Sequence, residues 1–324
     1  MKKKKIYITR KIPEIAERML KKKGYIVEIN TKDKNLSKKE LISKLKKGNY
    51  DAVLSLLSNK IDEDIFKIAP TVKIFANYAT GFDNVDLEKA KKYKVVITNA
   101  PAPKTAESVA EHTFALMLAL VKNITDGDRF VRAGKYKGWM PLLFIDNDLI
   151  GKNLGLIGAG RIGEKVAQKA SALGLKIIYT DIKRNKFLEK KLGAKYYKSF
   201  KELLPKADFV SLHAPLLPST YHLINKNTLK LMKKTAYIVN TSRGPVIDEK
   251  ALVKALKNKE INGAGLDVYE FEPKVTKDLI KMENTVLTPH IASASFGARN
   301  EMAEICAQNI IDCLEGRKPK YQVN

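Results

Sequence analysis

The sequence predicts an α/β protein built of two doubly wound parallel-sheet domains, and three observations carry that expectation. Short apolar runs alternate with segments of helical periodicity along nearly the whole chain. Between one such run and one such helix stand Gly158, Gly160 and Gly163, at Gly-x-Gly-x-x-Gly spacing. The 324 residues suffice for two cores, and 44% hydrophobic residues with 8% aromatics is the composition of a soluble globular chain.

Ile6–Thr9 reads as the first strand, followed by a helix with Pro13 near its start and Gly24 just past its end. Tyr25–Ile29 is the second strand. Ser37 and Glu40 have capping-box spacing and open a helix that Gly48 is expected to close. Ala52–Leu56, Val72–Phe75 and Val95–Thr98 complete this set of strands. No glycine loop for phosphate occurs among them, so this half is the candidate substrate domain. Within it, Thr80 and Gly81 follow directly on a strand end, where open α/β sheets bind ligands; an ordinary turn is an equal reading of the same residues.

Two prolines within Asn99–Pro103 mark the first domain boundary. The helix expected over Thr105–Lys122 is apolar on most faces and calls for burial against two surfaces, one of them a second subunit. Gly134–Asn147 holds the one tryptophan, Trp139, in a long irregular loop of the kind that carries function.

The second domain opens with the strand Leu154–Ile157, the glycine loop, a helix over Arg161–Leu173, and a strand Ile177–Tyr179 that leads to Asp181. Each part has a physical task in holding a dinucleotide. Gly158 permits the tight turn, Gly160 admits the pyrophosphate, and Gly163 lets helix and strand pack closely. The helix N-terminus offers amides to the phosphates, and Asp181 stands where a carboxylate accepts the hydroxyls of the adenosine ribose. Further strands are expected near Asp208–Leu212, Ala236–Val239, Gly263–Leu266 and Thr285–Leu287, with helices near Phe200–Leu204, Lys226–Met232 and Glu249–Lys257 between them. A helix over Arg299–Leu314 ends the chain.

A net charge of +25 raises the question of a nucleic-acid partner. Only nine of the 60 basic residues are arginine, and the lysines are spread over nearly every surface helix without aromatic interleaving. The charge therefore reads as a solvated surface, with no nucleic acid expected. No apolar run approaches the ~20 residues of a membrane span. Cys306 and Cys313 lie two turns apart on one helix, too far to bridge, which fits reduced thiols in the cytoplasm. No metal-ligand spacing occurs.

Of four histidines, His112 sits in the apolar helix and reads as structural, His213 ends a strand where a cofactor could pass, and His222 occupies a polar connection. His290 follows the last strand, at the second crossing between domains. Arg243 leaves the preceding strand end but one, and Asp267, Glu270 and Glu272 leave the strand between. Arg, Glu and His at successive strand ends allow hydride-transfer chemistry. The arginine would grip an α-keto acid, the histidine would exchange the proton, and the glutamate would hold the imidazolium.

Taken together, ATGFDNVD, GLIGAGRIG, NTSRGPVIDE, GLDVYEFEP and TPHIAS give the chain a resemblance, over its full length, to the D-isomer-specific 2-hydroxyacid dehydrogenases. The resemblance implies Arg243 for substrate binding and polarisation, Glu272 for orienting the histidine, and His290 as general acid/base. It implies cofactor contacts from Arg161, Ile162, Asp181, Pro215, Thr241 and Asp267, and carboxylate binding by Thr80 and Gly81. It further implies a flavodoxin-like substrate domain of residues 1–102 plus 291–324, and a Rossmann cofactor domain of residues 103–290. A homodimer joined through Thr105–Lys122 and a chain without a regulatory extension are also implied. KGWMP around Trp139 and HIASASFGARNEMA are most similar to the glyoxylate/hydroxypyruvate reductase branch, where a tryptophan in this loop reaches toward the partner's pocket. Ala292, Ser295 and Ala298 depart from the Gly, Thr and Thr usual there. The expected reaction is NAD(H)-dependent reduction of glyoxylate or hydroxypyruvate to the 2-hydroxy acid, D-specific where chiral. The rival readings are a D-lactate dehydrogenase and a co-repressor-like NAD-binding scaffold without turnover. NADH is favoured because Asp181 would repel a ribose 2′-phosphate, although Lys183 and Arg184 close behind leave NADP open.

Overall fold

Period-two alternation builds the first sheet. Ile6 and Ile8 enter one apolar layer and Tyr7 the other; Ala52 and Leu54 against Val53, and Ile74 and Ala76 against Phe75, repeat the pattern. In the computed structural model, which describes residues 3–32 and 34–324, these strands belong to a unit formed by Met1–Thr105 and Ala294–Asn324. Its elements run β1 (Lys5–Ile8), α1 (Ile15–Lys22), β2 (Ile26–Ile29), α2 (Lys38–Gly48), β3 (Ala52–Leu56), α3 (Glu63–Ile68), β4 (Ile74–Tyr78), α4 (Leu87–Lys92) and β5 (Val96–Thr98). The strand order is β2-β1-β3-β4-β5 with every pair parallel, a doubly wound sheet that reverses direction between β1 and β3.

Local chemistry sets the boundaries. Ser37 accepts the Glu40 amide and the Glu40 side chain accepts the Ser37 amide, so α2 starts in a complete capping box. It runs through Gly48 rather than stopping there; Asn49, at φ 46°, makes the left-handed turn one residue later. Likewise β4 starts at Ile74 instead of Val72, because the Val72 amide closes a turn on the Ala69 carbonyl at 3.0 Å.

The second unit, Ala106–Ser293, holds most of α5 (Pro103–Val121), then α6 (Ile124–Arg132), β6 (Asn153–Ile157), α7 (Arg161–Ala172), β7 (Lys176–Thr180), α8 (Lys186–Leu192) and β8 (Lys195–Tyr196). There follow α9 (Phe200–Leu203), β9 (Phe209–Leu212), α10 (Lys226–Leu229), β10 (Tyr237–Asn240), α11 (Glu249–Lys257), β11 (Gly263–Leu266), α12 (Lys277–Lys281) and β12 (Thr285–Leu287). Seven parallel strands lie in the order β12-β11-β10-β9-β6-β7-β8, and the direction of winding reverses between β6 and β9. A Rossmann sheet reverses at this point, and the glycine loop leaves β6 there.

Two expectations about the middle of the chain change. Pro103 opens α5 rather than barring it, since the first helical residue needs no N–H. Within the unit's own core α5 buries Ala110, Phe114, Met117, Leu120 and Val121, which supplies one of the two surfaces expected for it. The segment that follows holds α6, which was not expected, and exposed apolar side chains gather along it from Ile124 to Ile150.

The chain returns to the first unit with α13 (Phe296–Leu314), whose N-cap Ser295 accepts the Ala298 amide. Met302, Ala303, Cys306 and Ile310 of α13 complete the layer begun by Ile6 and Ile8. Both cysteines are free thiols, and burial pushes the Cys306 thiol well above its usual range.

Candidate active site

The glycine loop is shaped for a ligand that approaches the backbone. Gly158 has φ +98°, and a Cβ there would lie 2.7 Å from the His213 carbonyl carbon; at Gly163 it would lie 2.2 Å from the Gly158 oxygen. Both positions are closed to any side chain by the chain itself. Gly160 is different: a Cβ would meet nothing within 4 Å, so its missing side chain leaves open space at the N-terminus of α7. Arg161 and Ile162 form the first turn of that helix. At the end of β7 the Asp181 carboxylate accepts the Ala159 amide at 2.6 Å and the Lys183 amide at 3.3 Å, which ties it to the loop. Arg184 forks onto Glu189 with two bonds of 2.9 Å.

His213 is part of this scaffold. Its Nε2 lies 2.8 Å from the Ser211 hydroxyl, and burial pushes its pKa down to about 3, so it stays neutral. Pro215 follows in the same segment and receives the Thr220 hydroxyl proton on its carbonyl at 2.6 Å. Thr241, past the end of β10, has its hydroxyl 3.0 Å from that of Thr113. Because Thr113 donates to the Val109 carbonyl, Thr241 must be the donor of this pair.

Arg243, Glu272 and His290 follow the ends of three neighbouring strands, β10, β11 and β12. Glu272 Oε2 lies 3.0 Å from His290 Nδ1, and Oε1 accepts the Tyr269 amide at 3.1 Å. Burial alone would raise the Glu272 pKa. The hydrogen bond and charge of His290, the Tyr269 amide and the Arg243 guanidinium together outweigh it and hold the carboxyl below its ordinary range. The imidazole is thus fixed through Nδ1, which leaves Nε2 as the nitrogen available to a substrate. Close approach locks the arginine loop to the glutamate loop: a Cβ on Gly244 would lie 1.9 Å from the Tyr269 carbonyl carbon. Arg243 itself donates from Nη1 to the Ser242 carbonyl at 2.8 Å.

The second carboxylate of GLDVYEFEP has another partner. Glu270 Oε1 lies 2.8 Å from His222 Nε2, and Oε2 accepts the Glu249 amide at 2.9 Å. Asp267 is fully buried and fastens the His290 loop, taking the amides of Ile291 and Ala292 at 2.8 Å each and the Thr288 hydroxyl at 2.7 Å. His112, read from the sequence as structural, reaches this cluster with Nε2 2.9 Å from Thr288 Oγ1. Sequence reasoning missed that group; its signal was one imidazole on an otherwise apolar helix.

Thr80 and Gly81, past the end of β4, belong to the first unit. Their carbonyls accept Asn99 Nδ2 at 2.6 Å and Asn77 Nδ2 at 3.0 Å. Among the described residues Thr80 Oγ1 is a buried hydroxyl without a hydrogen-bond partner.

The chain has recognisable relatives. Residues 114–292 match the model of the D-isomer specific 2-hydroxyacid dehydrogenase NAD binding domain. Glyoxylate reductase of Pyrococcus horikoshii is 45% identical, over 99% of this chain and 96% of that protein. A crystal structure of a glyoxylate reductase from Paecilomyes thermophila superposes with a TM-score of 0.88 at 30% identity, covering 100% of this chain and 99% of that one. The NADPH-dependent glyoxylate/hydroxypyruvate reductase of Sinorhizobium meliloti, in complex with NADP and malonate, gives 0.85 at 26% identity, over 99% and 97%. With the glycine loop and the Arg–Glu–His strand ends in this arrangement, and relatives matched over nearly their whole length, the chain belongs to the D-isomer specific 2-hydroxyacid dehydrogenase family.

Proposed function

We propose that the protein reduces a small 2-keto acid, glyoxylate or hydroxypyruvate, to the 2-hydroxy acid with NADH. The observation that carries the reading is the Glu272–His290 pair at 3.0 Å, beside an arginine whose charge reaches Glu272. The bound nicotinamide supplies the hydride. His290 Nε2 gives its proton to the carbonyl oxygen, while Glu272 holds Nδ1–H and stabilises the protonated ring. Arg243 binds the keto acid's carboxylate with a planar fork and polarises the neighbouring carbonyl. We assign carboxylate binding also to Thr80 and Gly81, from their place at the end of β4.

The dinucleotide fits the residues present. Gly158, Gly160 and Gly163 shape the loop, Arg161 and Ile162 supply amides at the start of α7, and Asp181 takes the adenosine ribose. Pro215, Thr241 and Asp267 are assigned to the nicotinamide half. The preference for NADH is supported by Arg184, which is engaged with Glu189 and so not offered to a 2′-phosphate. On this reading the first unit is the substrate domain and the second the cofactor domain. A homodimer is supported by the exposed apolar side chains from Ile124 to Ile150, with Trp139 83% exposed. Two free thiols support a cytoplasmic setting.

The test is NADH oxidation with glyoxylate, hydroxypyruvate and pyruvate in parallel. The reading expects kcat/KM to be highest for one of the first two. A preference for pyruvate would make the protein a lactate dehydrogenase, and NADH binding without oxidation would make it a scaffold.

A further inference from the structure

His290 is held in an unusual backbone conformation, and the groups that hold it extend to a side chain with no part in the chemistry above. Its φ is +56°, in the left-handed region that side chains other than glycine rarely adopt. Three consecutive amides fix this turn on one residue. The His290 amide donates to the Asp267 carbonyl at 2.9 Å, and the Ile291 and Ala292 amides donate to its two carboxylate oxygens. Thr288 spends its only hydroxyl proton on Asp267 Oδ1. It must therefore accept at its other contact, so His112 Nε2 carries the proton there. The same nitrogen lies 3.5 Å from Asp267 Oδ1. One turn earlier on α5, the Ser108 hydroxyl donates to the Ala292 carbonyl at 2.9 Å.

We infer that His112 is a positioning residue for His290, acting through Thr288 and Asp267 to keep the loop amides in register. The inference rests on the reading of His290 as the acid/base group. Electrostatics agree with it. Burial pushes the Asp267 carboxyl up, while the bonds from His112, Thr288 and the two amides pull it down, and the outcome lies below the usual carboxylate range. The other titratable groups around it are Tyr269, whose own pKa Asp267 helps to raise, and the Glu272–His290 pair on the adjoining loops. An ionised Asp267 accepts both amides; a protonated one turns an acceptor into a donor and releases one of them. Its hold on the loop is therefore present above its depressed pKa and lost as pH falls through it. Without His112 that loss must occur at higher pH.

The experiment measures kcat and kcat/KM for glyoxylate with NADH from neutral into acid pH, in wild type, His112→Phe and His112→Gln, with the Kd for NADH measured alongside. His112→Phe is expected to lower kcat at neutral pH by about tenfold. It should also move the acid-side fall upward by about one pH unit, with Kd unchanged. His112→Gln, whose amide can still donate to Thr288, should stay within about threefold of wild type. A loss that is the same at every pH, or equal in the two variants, would mean a packing role only and overturn the inference. So would wild-type behaviour of His112→Phe. Should His112→Phe not fold, the smaller His112→Ala removes the same donor and must show the same upward shift, or the inference fails. Wild-type enzyme inactive toward keto acids would instead defeat the reading of His290 itself.

Discussion

A glutamate beside a histidine is useful only while it is ionised, and the surroundings of Glu272 keep it so. Its carboxyl is held below the ordinary value of 4.5 by His290, the Tyr269 amide and Arg243, against the opposing effect of burial. A depressed carboxylate pKa contributes stability that is present above the unfolded value and lost as pH falls through the folded one. The difference in Tm between wild type and Glu272→Gln should therefore be largest at neutral pH and shrink on acidification below about pH 4.5. A gap independent of pH would mean that the charge of Glu272 is not what the site uses. At Arg243 geometry matters more than charge. Arg243→Lys keeps the cation but loses the fork, and kcat/KM for the keto acid should fall at least ~100-fold. A variant within a few-fold of wild type would remove Arg243 from the substrate. The motif GLDVYEFEP alone did not separate Glu270 from Glu272. The family resemblance named Glu272; in the structure Glu272 lies against His290, while Glu270 lies against His222 and accepts the Glu249 amide.

At the scale of elements, the glycine loop separates folding from binding. Gly158 is demanded by the chain, through φ +98° and the His213 backbone 2.7 Å from a would-be Cβ, whereas Gly160 faces open space. Gly158→Ala should destabilise the protein by about 1–3 kcal/mol. Gly160→Ala should leave stability within about 0.5 kcal/mol yet weaken NADH binding at least ~10-fold, because its methyl would occupy the room we propose for the pyrophosphate. Thermal melts and a fluorescence titration check the pair; equal NADH affinity in Gly160→Ala and wild type would place the pyrophosphate elsewhere. Elements governed by local signals were legible in the sequence. Ser37 with Glu40 opened α2, Gly24 followed α1, and the apolar runs of β3, β11 and β12 matched residue for residue. The short helices α3, α4, α6, α8 and α12 were not foreseen, having too few turns to show a period of 3.6 above the lysine-rich background. The His112–Thr288–Asp267 cluster lay beyond sequence reasoning for another reason. It joins residues more than 150 positions apart, and only the packing of α5 on the sheet brings them together.

For the whole molecule, charge and exposed apolar surface point in different directions. A net charge of +25 on a lysine-rich surface opposes self-association through long-range repulsion that salt screens. Trp139, Leu142, Ile145 and Ile150, each more than two-thirds exposed, favour it through burial. If these side chains form the dimer contact, sedimentation should give a dimer at micromolar concentration that persists at low salt, and Trp139→Ser with Leu142→Ser should shift it toward monomer. A wild-type monomer at that concentration would end the dimer proposal. The relatives spanning the full chain agree with the two-sheet architecture, but the chemistry stands or falls on one histidine. The most direct test pairs NADH binding with turnover in wild type and His290→Ala. NADH affinity should be equal in both, with kcat for glyoxylate reduction at least ~1,000-fold lower in the variant. A variant that binds NADH normally and still reduces glyoxylate within tenfold of wild type would contradict this role of His290.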